Sequence, residues 1–359
     1  MSLLLDRRQA LGLALLPALA ACRPRDDGNE VILSDGGSFW GRAQRRAFYE
    51  PFEAATGIRV RTVPFVMPGK LRTGIEQGRP IIDVADMAGA ELPRFERDGL
   101  LTRIDRRAFD PKDLAGLAPL PAREYALPSF YASTVFAYRE ELFPDREPSG
   151  WADMWDVARR PGPRMVASGL MGQMGATFEA ALLADGVSPD KLYPLDWDRA
   201  VRSLLRLRPS VTKYWLSSGE ALQMLNEQNA VAGNIWNGPI DTPEAKDAGS
   251  KFTWNQGILQ AGYWVIPKGA PHAANALRFM AFALAPERQA HFAQLIGYSP
   301  ANSRALALLS AERMTHMPTA PANLSRQLLQ NDAWWAQEDR PGLTNLALSV
   351  KMWESEVGR

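Results

Sequence analysis

The chain has 359 residues, of which 46% are apolar and 23% charged, which is ordinary for a soluble globular protein with a sizeable core. The formal net charge is +1, and without Asp6, Arg7 and Arg8 the chain from Cys22 onward is neutral. This balance argues against nucleic-acid partners and against a polybasic membrane-binding surface, because both require an excess of Lys and Arg.

The N-terminal segment has the parts of a secretory signal peptide. Arg7 and Arg8 precede an apolar run over residues 10–21 that ends in small residues. A transmembrane helix is the alternative, but it needs about 20 apolar residues. The sequence therefore predicts a signal peptide over residues 1–21. The arginine pair also resembles a twin-arginine signal, so both the Tat and the Sec export routes stay open.

Cys22 is the only cysteine of the chain, which excludes a disulfide within one chain. It follows Leu19, Ala20 and Ala21, and this ending resembles a bacterial lipobox, in which the cysteine is lipidated. An unmodified cysteine is the alternative. The lipobox predicts a membrane anchor of acyl chains at Cys22 and a polar tether over residues 22–29.

The body of the chain alternates short strand-like runs with helical patterns. Residues 31–33 predict a strand, Ser38 an N-cap, and residues 38–55 a helix that stops at Gly57. Residues 58–62 predict a second strand, and a strand-helix-strand unit implies a parallel pair. Further strands are predicted at 81–85, 231–236 and 263–267, with helices at 91–97, 219–227 and 273–284. This alternation predicts an α/β fold.

Short motifs follow one another in a fixed order from about residue 30 to residue 310. They lie at 50–58, 83–84, 99–101, 149–155, 235–238, 265–269, 285–290 and 297–302. Together they resemble the periplasmic solute-binding proteins of bacterial ABC transporters, of the spermidine/putrescine-binding type.

The resemblance implies a two-lobed periplasmic-binding-protein type II fold, with a hinge and a ligand cleft between the lobes. It places lobe I at 30–131 and 264–310, and lobe II at 132–263 and 311–359. It also implies a monomer that closes on a small molecule and passes it to an ABC transporter permease.

The resemblance also implies where the ligand binds. Trp236 matches a ligand-stacking tryptophan, Tyr131 an aromatic residue at the first hinge, and residues 35–39 the first binding loop. The Trp and Asp expected before the second hinge strand fall on Gln260 and Gly262. The predicted ligand-binding set is Asp35, Gly37, Ser38, Phe39, Glu91, Tyr131, Gly169, Trp215, Ser217, Trp236, Gln260 and Gly262. Core packing for Trp236 and helix capping for Asp35 and Ser217 are the structural alternatives.

The ligand predicted from these residues differs from a polyamine. The acidic pair expected within residues 167–177 is absent, and the segment is rich in glycine. We predict that this segment opens a helix near Gly169, whose free N–H groups favour an anion. The hypothesis is a ligand with an anionic group, such as a zwitterionic amine-carboxylate, with Asp35, Asp86 and Glu91 as candidates for its cationic end. A polyamine-like amine is the alternative.

Catalytic patterns are sparse in the sequence. His272, His291 and His316 lack metal-ligand spacing, and there is no Gly-x-Ser-x-Gly elbow, P-loop or Gly-x-Gly-x-x-Gly motif. The sequence therefore predicts a binding protein without catalytic residues, metal or cofactor. A solute sensor coupled to a receptor and an exported hydrolase are the alternatives.

Overall fold

The computed structural model describes residues 28–358. The predicted signal peptide, the predicted lipidation at Cys22 and most of the predicted tether lie outside the described residues. In chain order the strands are β1 Glu30–Asp35, β2 Arg59–Pro64, β3 Ala85–Ala88, β4 Ala126–Arg139, β5 Arg164–Ala167, β6 Val211–Trp215, β7 Ala232–Trp236, β8 Ser250–Val265, β9 Ser299–Pro300, β10 Leu328–Leu329, β11 Glu338–Arg340 and β12 Leu343–Thr344.

The α-helices are short, and none within residues 28–358 has the length and apolarity needed to cross a membrane. They are α1 Ser38–Gln44, α2 Glu50–Thr56, α3 Pro68–Glu76, α4 Leu92–Arg97, α5 Pro111–Ala115, α6 Trp151–Trp155, α7 Thr177–Ala184, α8 Trp197–Leu207, α9 Ser218–Asn226, α10 Asn237–Ile240, α11 Pro243–Asp247, α12 Ala273–Leu284, α13 Pro286–Leu295, α14 Ala311–Thr315, α15 Pro321–Leu324, α16 Asp332–Ala336 and α17 Asn345–Met352.

Two long antiparallel strands, β4 and β8, form the spine of the fold. They have 14 and 16 residues, far more than a typical strand, and pair from Ala126–Val265 to Arg139–Ser250. The main sheet has the order β10-β8-β4-β7-β5-β6, with β3 paired to β8 and β9 paired to β4. Each of these two strands runs through both halves of the sheet, so β4 and β8 are two connections between the two parts of the molecule.

Separate hydrophobic cores lie at the two ends of these strands. One core joins residues of 31–132 to residues of 259–301 and includes Phe48, Trp264 and Phe279. Other cores draw mainly on residues 135–258, and one of them adds the C-terminal Trp335 and Trp353. This mixed α/β arrangement confirms the predicted two-lobed fold class. The exact lobe boundaries stay a prediction.

The first strand-helix-strand unit folds as predicted. β1 and β2 pair in parallel, and the chain between residues 38 and 56 is helical, with a π-helical turn at Arg45–Tyr49. Gly57 ends it with a left-handed φ of 71°, the conformation that commonly terminates a helix.

The strand predicted at residues 81–85 is displaced toward the C-terminus. The structure places β3 at Ala85–Ala88. Asp83 instead joins β1 to His272, the residue that precedes α12. Its carboxylate accepts the Ile32 N–H at 2.7 Å and lies 2.9 Å from His272 Nδ1. The shift puts Asp86 on a strand that pairs with β8.

The helix predicted to open near Gly169 is wrong. Residues Gly169–Gly175 form 3₁₀ turns, interrupted at Gly172 with φ 55° and ψ −133°, and α7 starts only at Thr177. Gly169 is buried and packs so closely against Trp353 that a Cβ at this position would enter the Trp353 ring. The segment therefore does not offer an open helix N-terminus to an anion.

Candidate ligand-binding site

A cleft of about 360 Å³ opens where β3, β8 and β4 meet the N-termini of α1 and α9. Its lining is predominantly apolar and consists of Gly36, Gly37, Phe39, Trp40, Phe65, Asp86, Met87, Ala88, Phe130, Ala132, Met174, Ser217, Ser218, Gly219, Trp236, Ala261, Gly262 and Tyr298. A larger hollow of about 610 Å³ near Arg103 and Arg107 lies on the surface. Its arginines pair with Glu124 and Asp105 in solvent, so the cleft is the better candidate.

Asp86 is the one acidic residue among the described residues that line the cleft. Burial raises its pKa from 3.8 to about 7, and the hydrogen-bonding groups of Gln44 and Ser129 only partly offset this rise. Gln44 and Ser129 are close enough to Asp86 to lower its pKa, yet neither meets the geometry of a full hydrogen bond with Oδ1. Within the described chain, Asp86 Oδ1, Gln44 Nε2 and Ser129 Oγ are all buried without a well-formed hydrogen bond. Such a cluster is costly unless a ligand supplies donors or a charge.

Three aromatic rings form one wall of the cleft. The ring centroids of Trp40 and Phe130 are 4.5 Å apart, those of Phe130 and Tyr298 5.5 Å, and those of Trp40 and Tyr298 5.7 Å. Burial raises the pKa of the Tyr298 hydroxyl, so this residue presents a neutral ring. The wall offers apolar area and π-electron density to a ligand.

Trp236 forms a second aromatic surface and is held rigidly. Its Nε1 donates to the Met174 carbonyl at 2.9 Å, and its ring meets that of Trp215 edge to face with centroids 5.9 Å apart. Trp215 in turn donates through Nε1 to the Asn234 carbonyl at 3.0 Å and is completely buried. A buried tryptophan therefore orients the tryptophan that lines the cleft.

The N-terminus of α9 reaches the cleft through Ser217, Ser218 and Gly219. Ser217 is the N-cap but makes no side-chain capping hydrogen bond, so the backbone N–H groups of the first turn are left for another acceptor. Ser218 is 7% exposed. Glu220, the acid of this turn, pairs with Lys213 at 3.2 Å and does not line the cleft.

Comparison with known proteins identifies the family. Residues 47–322 match the family described as bacterial extracellular solute-binding protein. This chain belongs to that family. The gamma-aminobutyric acid-binding protein of Pseudomonas aeruginosa is 31% identical over 324 residues, which is 89% of this chain and 90% of the relative. A spermidine/putrescine-binding periplasmic protein of Haemophilus influenzae is 22% identical over 337 residues, 88% of this chain and 89% of the relative.

Solved structures agree with this assignment. An ABC transporter substrate-binding protein from Bradyrhizobium japonicum superposes with a TM-score of 0.80 at 33% identity, covering 91% of this chain and 99% of that one. A structure described as a GABA receptor gives a TM-score of 0.81 at 29% identity, covering 91% and 97%. The predicted resemblance is confirmed, and the chain is a small-ligand-binding protein of the ABC transporter substrate-binding class.

The structure brings five of the predicted residues of this solute-binding protein together in the cleft. They are Gly37, Phe39, Ser217, Trp236 and Gly262. Ser38 begins α1, but its side chain lies outside what the structure describes.

Six other predicted residues do not line the cleft: Asp35, Glu91, Tyr131, Gly169, Trp215 and Gln260. Asp35 caps its own loop, since its Oδ1 accepts the Gly37 N–H at 2.7 Å. Glu91 lies in a 3₁₀ turn, where burial raises its pKa. Tyr131 is fully buried, and its hydroxyl accepts the Leu120 N–H at 3.0 Å.

The remaining three support the cleft from behind. Gln260 Nε2 donates to the Gln173 carbonyl at 2.7 Å, adjacent to Met174 of the lining. Gly169 packs against Trp353, and Trp215 orients Trp236. The Gln260 amide and the Trp215 ring are used within the protein, so these two residues position the wall, and none of the three lines the cleft.

Sequence reasoning missed the aromatic wall and three other large hydrophobic residues of the lining, Phe65, Met87 and Met174. Strand alternation was the available signal for Phe130, because adjacent strand residues point to opposite faces. Tyr131 faces the core, so its neighbours Phe130 and Ala132 face the cleft. Trp40 in α1 and Tyr298 just before β9 carried no comparable signal, since the packing of distant segments decides where they point.

Proposed function

We propose that this protein captures a small zwitterionic solute with an amine at one end and a carboxylate at the other, in the class of the ω-amino acids, and delivers it to an ABC transporter permease. The observation that carries the proposal is Asp86, a single buried carboxylate with an unpaired oxygen in an otherwise apolar cleft.

The amine end binds at Asp86. An ammonium group supplies both the positive charge and the N–H donors that the buried Oδ1 lacks. The rings of Trp40 and Phe130, which line the same cleft, add favourable contact with a cation and with methylene groups.

The carboxylate end binds at the start of α9. No Lys or Arg lines the cleft within residues 28–358, so an anion there relies on backbone N–H groups and on hydroxyl groups. The first turn of α9 offers unpaired N–H groups and a favourable dipole, and Ser217 and Ser218 lie beside it. This is a different helix from the one expected near Gly169, with the same physical logic.

A diamine fits the cleft less well than a zwitterion. A second ammonium group would require a second carboxylate, and Asp86 has no acidic counterpart among the described lining residues. The name of the relative at 31% identity, a gamma-aminobutyric acid-binding protein, supports the same class of ligand.

The remaining steps of the proposed function follow from the family. Its members and the relatives named above are binding proteins, which supports capture and release without catalysis. We further propose that the protein is a monomer that works outside the cytoplasm, held to the membrane by lipid at Cys22 after removal of residues 1–21. The lipobox-like residues Leu19, Ala20, Ala21 and Cys22 support this anchor.

Calorimetry and thermal unfolding of the soluble mature protein test the ligand class. We expect 4-aminobutanoate to raise the unfolding temperature and bind at least about tenfold more tightly than butanoate, butylamine or putrescine, because each of these lacks one of the two charged contacts. Stabilisation by putrescine or spermidine but not by 4-aminobutanoate would contradict the proposal. So would turnover of the bound solute.

A further inference from the structure

Phe130 and Gly262 are register partners on β4 and β8, and both line the cleft. A Cβ on Gly262 would lie inside 3.0 Å of Phe130 Cε1, a separation that real Cβ atoms essentially never show. Gly262 does not have a positive φ, so the glycine supplies space and not backbone freedom. The Phe130 ring is therefore seated directly on the backbone of Gly262.

The strand register relates this ring to the amine end of the cleft. Ala88 of β3 pairs with Gly262 on the opposite side of β8 from Phe130, and Asp86 is two residues from Ala88. Residues two apart on a strand point to the same face about 7 Å apart. Asp86 and Phe130 are two strands and two residues apart, and the Phe130 ring lies over Gly262, so an ammonium group bound at Asp86 would reach this ring across the small residues Ala88 and Gly262.

The aromatic rings here form a wall and not a cage. Phe130 and Tyr298 stack at an interplanar angle of 25°, and Trp40 tilts against both. Because the rings pack against one another, part of their faces is already covered. Aromatic cages that bind quaternary ammonium groups instead arrange open ring faces around the cation.

Asp86 also requires hydrogen-bond donors. Its Oδ1 is buried without a partner in the described chain, and Gln44 Nε2 and Ser129 Oγ beside it are unpaired too. A primary ammonium has three N–H donors, whereas a trimethylammonium group has none. A fully methylated amine would leave this oxygen unsatisfied, which is expensive in a buried site.

We infer that the cleft selects a primary ammonium over a methylated one, and that Phe130, seated on Gly262, determines this selection by excluding N-methyl groups. The inference rests on the proposed function, because it assigns the amine end of the ligand to Asp86. Phe130 touches the ligand, and Gly262 is a positioning residue that acts through it.

Calorimetry with 4-aminobutanoate and its N-methyl and N,N,N-trimethyl derivatives tests the inference. The wild type is expected to lose affinity with methylation, by at least about tenfold for the trimethyl form. The methylation ratio is the affinity for 4-aminobutanoate divided by the affinity for its trimethyl form. Phe130→Ala is expected to lower this ratio at least about fivefold, because it opens space for the N-methyl groups of a ligand bound at Asp86. Phe252→Ala is the matched control: Phe252 contacts Trp254 with centroids 4.9 Å apart, outside the cleft, and its loss should leave the ratio unchanged.

Gly262→Ala tests the packing of Phe130 against Gly262. It should push Phe130 into the cleft and weaken binding of 4-aminobutanoate at least about tenfold. The double variant Gly262→Ala/Phe130→Ala should then bind 4-aminobutanoate and its methylated forms with the affinities of Phe130→Ala. Gly257→Ala on the same strand is the control, since its Cβ would meet the Gln327 side chain at 3.1 Å and the Trp254 carbonyl oxygen at 3.2 Å, neither of which lines the cleft. Unfolding temperatures of all variants separate lost binding from lost stability.

Three results would overturn the inference. One is an unchanged methylation ratio in Phe130→Ala. A second is that Phe130→Ala loses more affinity for the trimethyl form than for 4-aminobutanoate, which is the behaviour expected of an aromatic cage. The third is a double variant no better than Gly262→Ala. A wild type that binds none of the three probes contradicts the proposed function as well, whereas a wild type that binds 4-aminobutanoate with no shift in the ratio contradicts this inference alone.

Discussion

Replacing Asp86 with asparagine should make the protein more stable at neutral and alkaline pH while it abolishes ligand binding. The carboxylate is removed from water, and burial raises its pKa from 3.8 to about 7. A rise in pKa of this size corresponds to about 4 kcal/mol of unfavourable free energy for the ionised form. Asp86 Oδ1 is buried, but another part of the residue is exposed at the cleft and its surroundings relax, so a gain on the order of 2–4 kcal/mol is expected above pH 7.

The sign of the pH dependence follows from proton binding. Between about pH 4 and pH 7 the folded protein holds a proton on Asp86 that the unfolded chain has lost, so the wild type loses stability as pH rises through this window. Asp86→Asn removes this slope. The two proteins should therefore differ little near pH 4 and most at pH 8.

Urea unfolding followed by tryptophan fluorescence at pH 5 and pH 8 measures both free energies of unfolding. Asp196→Asn is the control, because Asp196 caps α8 by accepting the Arg199 N–H at 2.9 Å, and asparagine caps as well as aspartate. An Asp86→Asn protein that is less stable than the wild type at pH 8, or whose stability difference is the same at both pH values, would refute the reasoning. Retained binding of 4-aminobutanoate by Asp86→Asn would refute its assignment as the ammonium site.

Three further predictions concern the same cleft. Affinity for 4-aminobutanoate should fall by up to about tenfold per pH unit below pH 7, because a proton then competes for Asp86; calorimetry in buffers of different ionisation enthalpy should show proton release on binding. Trp236→Phe removes the hydrogen bond to the Met174 carbonyl and should cost about 1 kcal/mol of stability and several-fold in affinity, whereas Trp155→Phe, which loses a comparable bond to the Ser203 carbonyl, should cost stability alone; an equal loss of affinity in both would contradict a role in binding. Gly238→Ala would place a Cβ 2.5 Å from Tyr298 Cε1 and should weaken binding by displacing that ring, and unchanged affinity by calorimetry would show that the ring does not contact the ligand.

Local patterns were sufficient to predict the mixed α/β class, whereas the two lobes were implied by the family resemblance. The alternation of strands and helices, the stop at Gly57 and the helix over 273–284 all appear in the structure, because each depends on residues close in sequence. The strand at 81–85 was misplaced for a long-range reason. Asp83 is occupied by Ile32 and His272, partners 51 and 189 residues away, which no local pattern reveals.

The candidate site was less predictable, because on a strand a difference of one residue decides whether a side chain points into the core or into the cleft. Tyr131 and Trp215 were chosen as aromatic residues beside the cleft, and each lies in the core, next to or near a residue that lines it. Shifting one position along a strand reverses the direction of the side chain. Phe130 in place of Tyr131 is the result of that reversal on β4.

The polar residues chosen from the resemblance show why a chemically suitable side chain need not contact the ligand. Gln260 was chosen because it replaces an expected ligand contact, yet its amide donates to the Gln173 carbonyl and to Gln330 Oε1 at 3.1 Å. Gln173 Oε1 in turn accepts the Ala90 N–H at 2.8 Å, just after the strand that carries Asp86. These buried amides satisfy one another, so they have no capacity left for a solute. Asp86 differs because its oxygen is unpaired, and that unmet requirement, more than the identity of the residue, indicates where a ligand's ammonium group belongs.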